Sequence, residues 1–192
     1  AVLLHKREES VDGIEMTLAT NTLGYYLLTE LLMPVLERSA PARVINVSSG
    51  GMYAARVHPE DLQYENRVYD GGKAYAETKR AEVVLARNWA QQHEGIFFAS
   101  MHPGWVDTPG VERSLPLFYK IMKPLLRTPA QGADTIVWLA TCPDLTLRDS
   151  GKFWFDRKAR PEHILSSTRN TDEELAEFLR ECSRLTDRFA KS

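Results

Sequence analysis

The chain has 192 residues and a formal net charge of -2, and 43% of its residues are hydrophobic. That length and composition predict one globular domain over residues 1–192 with a sizeable core. The nearly balanced charge gives no support for nucleic acid as a partner, and no apolar run approaches the ~18 residues of a membrane span. We therefore expect a protein that acts on a small molecule, and a cytoplasmic location.

Cysteine and histidine spacings point to neither a disulfide framework nor a metal site. Cys142 and Cys182 are too few and too far apart for either, so both are expected to be reduced thiols. The 5 histidines share no metal-ligand spacing. We expect no bound metal.

The beginning of the chain predicts a helix followed by a strand. Apolar residues near helical spacing predict the helix over residues 10–37, with the option of a preceding turn around Asp12-Gly13, although Asn21 and Gly24 are poor helix formers in its middle. The β-branched run Arg43–Val47 predicts a buried strand. That strand ends in the unusual sequence Ser48-Ser-Gly-Gly51.

The same alternation follows in the next part of the chain. Residues 52–70 are polar and irregular and predict a loop with at most a short helical turn. An apolar face predicts a second helix over residues 73–93, and Ile96–Met101 predicts a strand that runs into His102-Pro-Gly104. Ligands of parallel sheets bind beyond the carboxyl ends of the strands, so we expect a site where these two strands end.

The remaining elements complete an α/β pattern. Residues 108–123 mix loop and helix, a helix is predicted over 129–140, and residues 153–155 form a short strand. Thr171-Asp-Glu-Glu174 is a capping box that opens a terminal helix, and residues 157–160 are expected to form a solvated turn. Alternating helices and strands predict a parallel sheet covered by helices.

Tyr75 and Lys79 lie four residues apart in the second long helix and so share one face. A free phenol has a pKa of about 10, and a nearby ammonium lowers that pKa toward useful proton transfer. Alone, this spacing more often marks a solvated helix face. The other candidate residues also have purely structural interpretations. Asn21 is compatible with an ordinary helix residue, Ser48–Ser49 with turn or N-cap residues, and Pro103-Gly104 with a turn that ends a strand.

Together, Asn21, Ser48-Ser49, Tyr75-x-x-x-Lys79 and Pro103-Gly104 resemble, in order and spacing, the catalytic half of a short-chain dehydrogenase/reductase. The resemblance implies a partial Rossmann-type parallel sheet with flanking helices. It also implies an NAD(P)-dependent oxidoreductase that interconverts a carbonyl and an alcohol by hydride transfer. NAD or NADP would carry the hydride, while the protein supplies the proton and the orientation.

The resemblance implies a role for each catalytic residue. Tyr75 would exchange a proton with the substrate oxygen, and Ser49 would hold that oxygen within reach. Lys79 would lower the pKa of Tyr75 and bind the nicotinamide ribose. Asn21 would bind a water that connects Lys79 to solvent.

The resemblance also assigns the segment after the second strand to the cofactor. Pro103 and Gly104 would pass along the nicotinamide, Val106 would bond the carboxamide, and Thr108 would approach the phosphates. The apolar segment Leu115–Tyr119 stands where family members place a substrate lid, which favours a lipophilic carbonyl or alcohol as substrate. Family members often form homo-oligomers, but nothing in the sequence decides this.

One part of the family pattern is absent from the sequence. The Gly-rich turn Thr-Gly-x-x-x-Gly-x-Gly, where the backbone approaches the pyrophosphate, does not occur in it. We therefore interpret this chain, which opens on Ala1, as an incomplete form that lacks the N-terminal strands of the sheet and has little activity alone. Two alternatives stay open: a non-catalytic binding or regulatory protein that keeps the half-fold, and a related isomerase or epimerase.

Overall fold

The computed structural model describes residues 1–39, 41–114 and 116–190. Within them, a sheet of four strands has the order β1 (Ala42–Val47), β2 (Ile96–Met101), β3 (Phe153–Phe155) and β4 (Lys158–Arg160). The first three strands run parallel, and β4 is antiparallel to β3. The predicted α/β fold with a mostly parallel sheet is confirmed.

Helices cover both faces of this sheet. The described α-helices are α1 (Met16–Leu18), α2 (Gly24–Arg38), α3 (Gly71–Gln92), α4 (Pro109–Ser114), α5 (Pro116–Met122), α6 (Pro129–Thr141) and α7 (Asp172–Ala190). Short 3-10 turns occur at Gly50–Ala54, Pro59–Asp61, Lys123–Leu125, Leu147–Asp149 and Ser166–Thr168. Among the described helices, none has the length and apolar character needed to cross a membrane.

The core is divided by β2, whose residues are all buried. Ile96 and Phe98 face a cluster that includes Trp89 of α3 and residues of α2 and α7. Phe97 and Met101 face the opposite side, where they pack with Leu139 of α6. Because side chains of a strand alternate between its faces, a strand covered on both sides reads as a continuous apolar run.

The predicted helix starts later than residue 10, and the optional turn around Asp12-Gly13 is present. Residues 10–14 form a turn instead, in which the Ser10 hydroxyl accepts hydrogen bonds from the backbone N–H groups of Asp12 and Ile14. Gly13 occupies the left-handed region with φ of 72°. The helix begins after Glu15, whose carboxylate accepts from the first free N–H groups of α1.

The middle of the same predicted helix also departs from regular geometry. Ala19–Leu23, which contains Asn21, forms a π-helical turn between α1 and α2. The poor helix formers noted in the sequence stand at this irregularity. Helix α2 then continues through Pro34 and ends at Arg38.

Residues 157–160 are exposed as predicted and Arg157 lies in a turn, but Lys158–Arg160 form a strand and the prediction of a turn was wrong there. Asp156 and Arg157 have φ values of 51° and 56° and form a two-residue turn, after which Lys158–Arg160 pairs with β3. Hairpin turns of this kind favour Asn-Gly or Asp-Gly, and here Asp156 is followed by Arg157 in place of glycine, which weakens the sequence signal. The predicted strands β1, β2 and β3 are confirmed, as is the capping box, in which the Glu174 backbone N–H donates to the Thr171 hydroxyl.

Candidate active site

The carboxyl ends of β1 and β2 place two loops side by side at one edge of the sheet. Val47 and Met101 are partners in the parallel ladder, and the Ser48 backbone N–H donates to the carbonyl of Met101 at 2.7 Å. Ser48-Ser49 and His102-Pro103-Gly104 therefore leave the sheet together. The structure brings together the two strand ends that the sequence singled out.

Buried polar side chains connect the end of β1 to helix α3. The Ser48 hydroxyl donates to the backbone carbonyl of Lys79 at 2.7 Å. One turn away, the Asn46 amide donates to the carbonyl of Glu82 at 3.0 Å. These bonds fix the segment of α3 that carries Tyr75 and Lys79 against the strand ends.

Ser49 opens the short turn that lies next to α3. Its hydroxyl accepts from the backbone N–H of Gly51 at 3.2 Å. Ser49 is therefore the N-cap of this turn, as the structural alternative in the sequence analysis predicted. A Cβ on Gly51 would lie 3.9 Å from the Cβ of Ala76, which directly follows Tyr75. Within the described residues the Ser49 hydroxyl gives its proton to no other group, so it can still donate to a ligand.

Tyr75 and Lys79 lie on one face of α3, as their spacing predicts. The Nζ of Lys79 lies 5.6 Å from the centroid of the half-buried Tyr75 ring. In the described part of the chain, the Tyr75 hydroxyl makes no hydrogen bond. A phenol with a free hydroxyl beside an ammonium is able to exchange a proton with a bound ligand.

Lys79 has a partner that the sequence analysis missed. Its Nζ donates to Glu82 Oε1 at 2.7 Å and to the carbonyl of Val47 at 2.9 Å. Side-chain exposures of 6% for Lys79 and 5% for Glu82 make this a buried ion pair. Burial raises the pKa of Glu82 to about 7, against the lowering effect of Lys79. The available signal was a carboxylate three residues after the lysine on one helix.

Asn21 lies beside α3, but its side chain is engaged. Its Oδ1 accepts from the backbone N–H of Val2 at 2.7 Å. Its amide nitrogen donates to the Val2 carbonyl at 2.8 Å and to the Thr78 hydroxyl at 3.2 Å. Both amide hydrogens are therefore used to tie the N-terminal segment to α3. The role of Asn21 in binding a water stays a prediction.

The loop after β2 turns sharply at Gly104. Gly104 has φ of 78°, which strains a residue with a side chain, and a Cβ there would also lie 2.8 Å from the Nε of Arg127, which would have to shift. The backbone of Arg127 pairs with the residues on either side of Val106. The Arg127 carbonyl accepts from the Asp107 N–H, and the Arg127 N–H donates to the Trp105 carbonyl. The N–H and carbonyl of Val106 therefore face away from Arg127.

The outer residues of this loop have mainly structural contacts. The Thr108 hydroxyl accepts from the Val111 backbone N–H at 3.3 Å, at the start of α4. The Asp107 carboxylate accepts from the Tyr119 hydroxyl at 2.7 Å, which ties the loop to α5. The predicted approach of Thr108 to cofactor phosphates stays a prediction, and Leu115 of the predicted lid lies outside the described residues.

His102, which precedes Pro103, is held as a neutral ring. Its Nδ1 accepts from the Gly104 backbone N–H at 3.2 Å, and the ring stacks on Phe155 at 4.1 Å between centroids. Burial and then Arg127 lower the pKa of His102 to about 4. His102 therefore packs the base of the loop as an uncharged group at neutral pH.

The donor set at this edge fits the nicotinamide end of a dinucleotide. The available groups are the Tyr75 and Ser49 hydroxyls, the backbone of Val106 and one N–H of Lys79, since an ammonium has three and two are used. Hydroxyl, ammonium and peptide groups of this kind can bond a ribose, a carboxamide and a substrate oxygen. No Gly-rich turn for a pyrophosphate occurs in the sequence.

Comparison with known proteins was made at the level of sequence and of fold. A profile of the NAD dependent epimerase/dehydratase family matches residues 4–142. Dehydrogenase/reductase SDR family member 12 of Bos taurus is 48% identical over 186 residues, covering 95% of this chain and 59% of that protein. Retinol dehydrogenase 12 of Homo sapiens is 37% identical over 161 residues, covering 82% of this chain and 50% of that protein.

A solved structure agrees in fold. The crystal structure of an uncharacterized protein from Mycobacterium Paratuberculosis superposes with a TM-score of 0.69 and 23% identity, covering 97% of this chain and 64% of that chain. At that identity the likeness shows the fold alone. The chain spans less than two thirds of the length of these three proteins.

Proposed function

The chain belongs to the NAD dependent epimerase/dehydratase family and to the short-chain dehydrogenase/reductases that it matches in sequence, and on that premise we propose that it forms the proton-transfer part of an NAD(P)-dependent oxidoreductase. The observation that carries the proposal is the free hydroxyl of Tyr75 beside Lys79, next to the turn opened by Ser49. These groups stand where two parallel strands end, which is where such sheets bind ligands.

The proposed reaction interconverts a carbonyl and an alcohol. The bound nicotinamide supplies or accepts the hydride. During reduction Tyr75 donates its phenolic proton to the substrate oxygen, and Lys79 stabilises the phenolate that remains. The Ser49 hydroxyl donates to the same oxygen and so orients the substrate. In the reverse direction the phenolate accepts the alcohol proton.

The chain's own residues would hold the nicotinamide end of NAD or NADP. Lys79 would bond the ribose with its remaining N–H, and the outward backbone groups of Val106 would bond the carboxamide. Pro103 and Gly104 would line the approach between the strand ends. Without a Gly-rich pyrophosphate turn, we expect this chain alone to bind either cofactor weakly.

The proposed substrate is a small lipophilic carbonyl or alcohol. One relative is named a retinol dehydrogenase, and retinol is a lipophilic alcohol. In addition, α5 and the turn after it carry apolar side chains that are largely exposed: Leu117 at 72%, Ile121 at 67% and Leu125 at 75%. The Tyr119–Asp107 hydrogen bond connects α5 to the loop that follows β2. Such a surface favours contact with an apolar ligand.

Two measurements test the proposed function. The first uses a joined protein, in which this chain is fused to the part of the bovine relative that it does not span, with the segments in the order of that relative. Oxidation of NADH and NADPH by this protein is then followed with retinal and other lipophilic carbonyls as substrates. Tyr75→Phe should lower kcat by about 10²- to 10⁴-fold, because it removes the acid/base group. Tyr53→Phe is the matched control, since the Tyr53 hydroxyl donates to the Pro161 carbonyl. Equal turnover of the Tyr75→Phe variant and wild type would refute the proposal.

The second measurement titrates NADH and NADPH against this chain alone and follows nucleotide fluorescence. We expect no saturation in the micromolar range, and micromolar binding would overturn the inference that the cofactor half is needed. A joined protein that binds NADPH but reduces no carbonyl would instead favour a non-catalytic binding or regulatory protein.

An epimerase is a second candidate, because the matching family profile names epimerases. In the described part of the chain, Phe178 and Cys182 of α7 are buried in the same core as Trp89 of α3. This part of the chain completes the main core and does not build a separate substrate unit. An epimerase would invert a stereocentre with no net change in nucleotide absorbance, so the same assay separates the two reactions.

A further inference from the structure

Glu82 differs from the two other buried carboxylates among the described residues. Both oxygens of Glu15 accept backbone N–H groups, and both oxygens of Asp61 accept bonds from residues 65–67. Glu82 Oε1 accepts from Lys79, but Oε2 is buried with no hydrogen-bond partner in the described structure. A buried carboxylate oxygen without a donor is costly, which points to a role beyond packing.

Glu82 lines a cavity of about 250 Å³. Its lining includes Asn21, Tyr25, Asn46, Lys79 and Glu82. The hydroxyl of Tyr25 is also buried without a partner. A polar cavity of this size can hold several waters, which would bring protons to the Glu82 carboxylate.

The charges that face Glu82 come from two elements. Lys79 lies on the same helix, and the Ala1 ammonium approaches from the N-terminal segment, and both lower the Glu82 pKa that burial raises to about 7. From α2, Tyr25 has a raised pKa and is therefore neutral. From β1 the cavity receives Asn46 and neighbouring residues without charge. The protonation state of Glu82 thus decides whether the Lys79 charge is balanced.

We propose that Glu82 is a positioning residue for Lys79 that, by taking up a proton from the cavity, sets the net charge beside Tyr75. With Glu82 ionised, the Lys79–Glu82 pair is neutral and the ammonium is held at Oε1 and the Val47 carbonyl. With Glu82 protonated, a full positive charge faces Tyr75 and its phenolate is favoured. The inference rests on the proposed function in taking Tyr75 as the acid/base, but its test does not.

The test is an NMR titration of the chain labelled with ¹³C in Tyr and Glu side chains, with an acetylated N-terminus to remove the Ala1 charge. Tyr75→Phe assigns the phenol signal. In Glu82→Gln the Tyr75 phenol should titrate about one pH unit lower than in wild type, the low end of the effect of a neighbouring charge. A carboxyl step near pH 7 or above it, because acetylation removes the lowering effect of the Ala1 charge, should be present in wild type and lost in this variant.

Glu77→Gln is the matched control, because Glu77 lies on the same helix and its carboxylate is bound by Arg67. It should leave both the Tyr75 titration and the step near pH 7 in place. If Glu82→Gln does not fold, the proposal is tested by the carboxyl titrations of wild type and of Glu82→Asp. Aspartate keeps the charge and shortens the reach to Lys79, so its carboxyl should still titrate well above the ordinary range.

Thermal unfolding gives a second readout with a defined sign. The raised pKa means that folded Glu82 keeps its proton to higher pH than the unfolded chain does, so its contribution to stability falls between about pH 4.5 and about pH 7. Because His102 and His163 have lowered pKa values and contribute with the opposite sign over the same interval, the readout is the difference: the Tm of wild type relative to that of Glu82→Gln should fall as the pH rises.

Two results would overturn the proposal: identical Tyr75 titrations in wild type and Glu82→Gln, or a Glu82 carboxyl that titrates in the ordinary range. A purely structural Glu82 would lower Tm in the variant without moving the Tyr75 signal. Neither measurement uses cofactor or substrate. A negative result here therefore does not affect the turnover assay, and a negative turnover assay does not affect the conclusion about the coupling of Glu82 to Tyr75.

Discussion

The two sides of the candidate site are built in different ways. On the α3 side, buried polar groups such as Ser48, Asn46 and Lys79 each have hydrogen-bond partners in neighbouring elements. On the α5 side, Leu117 and Ile121 are exposed. Proton transfer needs groups held within tenths of an ångström, whereas an apolar ligand needs mainly an apolar surface. The difference suggests that the first side fixes the chemistry and the second side selects the substrate.

Arg80 provides the strongest anchor of the fixed side. It is 1% exposed, and its guanidinium donates to the carbonyls of Met52, Ala55 and Glu162 at 2.7, 3.1 and 2.7 Å. It thereby joins α3 to the turn after β1 and to the segment after β4. Burial lowers the pKa of Arg80 to about 10, which leaves it charged at neutral pH.

Replacing Arg80 should have the largest effect on stability. Arg80→Met removes the guanidinium donor from the carbonyls of Met52, Ala55 and Glu162, and we expect the free energy of unfolding to fall by about 3 kcal/mol. Urea denaturation measures this loss. Arg169→Met is the control, because Arg169 is exposed, and it should change stability by less than about 0.5 kcal/mol. Equal losses in the two variants would show that Arg80 is no anchor.

Gly71 tests the fixed side at a second contact, with a smaller expected loss. A Cβ at Gly71 would overlap the carbonyl oxygen of Leu4, so Gly71→Ala must displace the N-terminal segment. We expect a loss of about 2 kcal/mol, as for overpacked sites, and faster hydrogen exchange at the Val2 amide that Asn21 binds.

Gly95→Ala is the matched control for Gly71→Ala, because a Cβ at Gly95 meets nothing within 4 Å. It should change the free energy of unfolding by less than about 0.5 kcal/mol, and it should leave hydrogen exchange at the Val2 amide unchanged. Unchanged exchange at Val2 in Gly71→Ala would mean that the N-terminal segment is not held by this contact.

The sequence predicted the parts of the site that depend on local spacing. Period and β-branching identified β1, β2 and most of α3, and four-residue spacing placed Tyr75 and Lys79 on one face. The strand ends followed, because parallel strands share their carboxyl edge. These features need no information about burial.

The parts that the sequence did not predict depend on distant contacts. Glu82 is three residues from Lys79, but only packing shows that both are buried and that one oxygen has no donor. Asn21 is engaged by the backbone of Val2 and by Thr78, 57 residues away, which no helical pattern contains. Burial and backbone partners of this kind are set by the tertiary fold.

The exposed side should respond to substitution in binding and not in stability, which is the smallest effect expected. Leu117→Ser on α5 removes an apolar side chain that is 72% exposed, so the free energy of unfolding should change by less than about 0.5 kcal/mol. In the joined protein, the KM for a lipophilic carbonyl should rise about 3- to 10-fold with little change in kcat, because uniform apolar contact is lost. Val137→Ser on α6, where Val137 is 57% exposed, should leave KM unchanged. A fall in kcat with constant KM would instead place α5 among the elements that hold the reacting groups, and the contrast between the two sides would not stand.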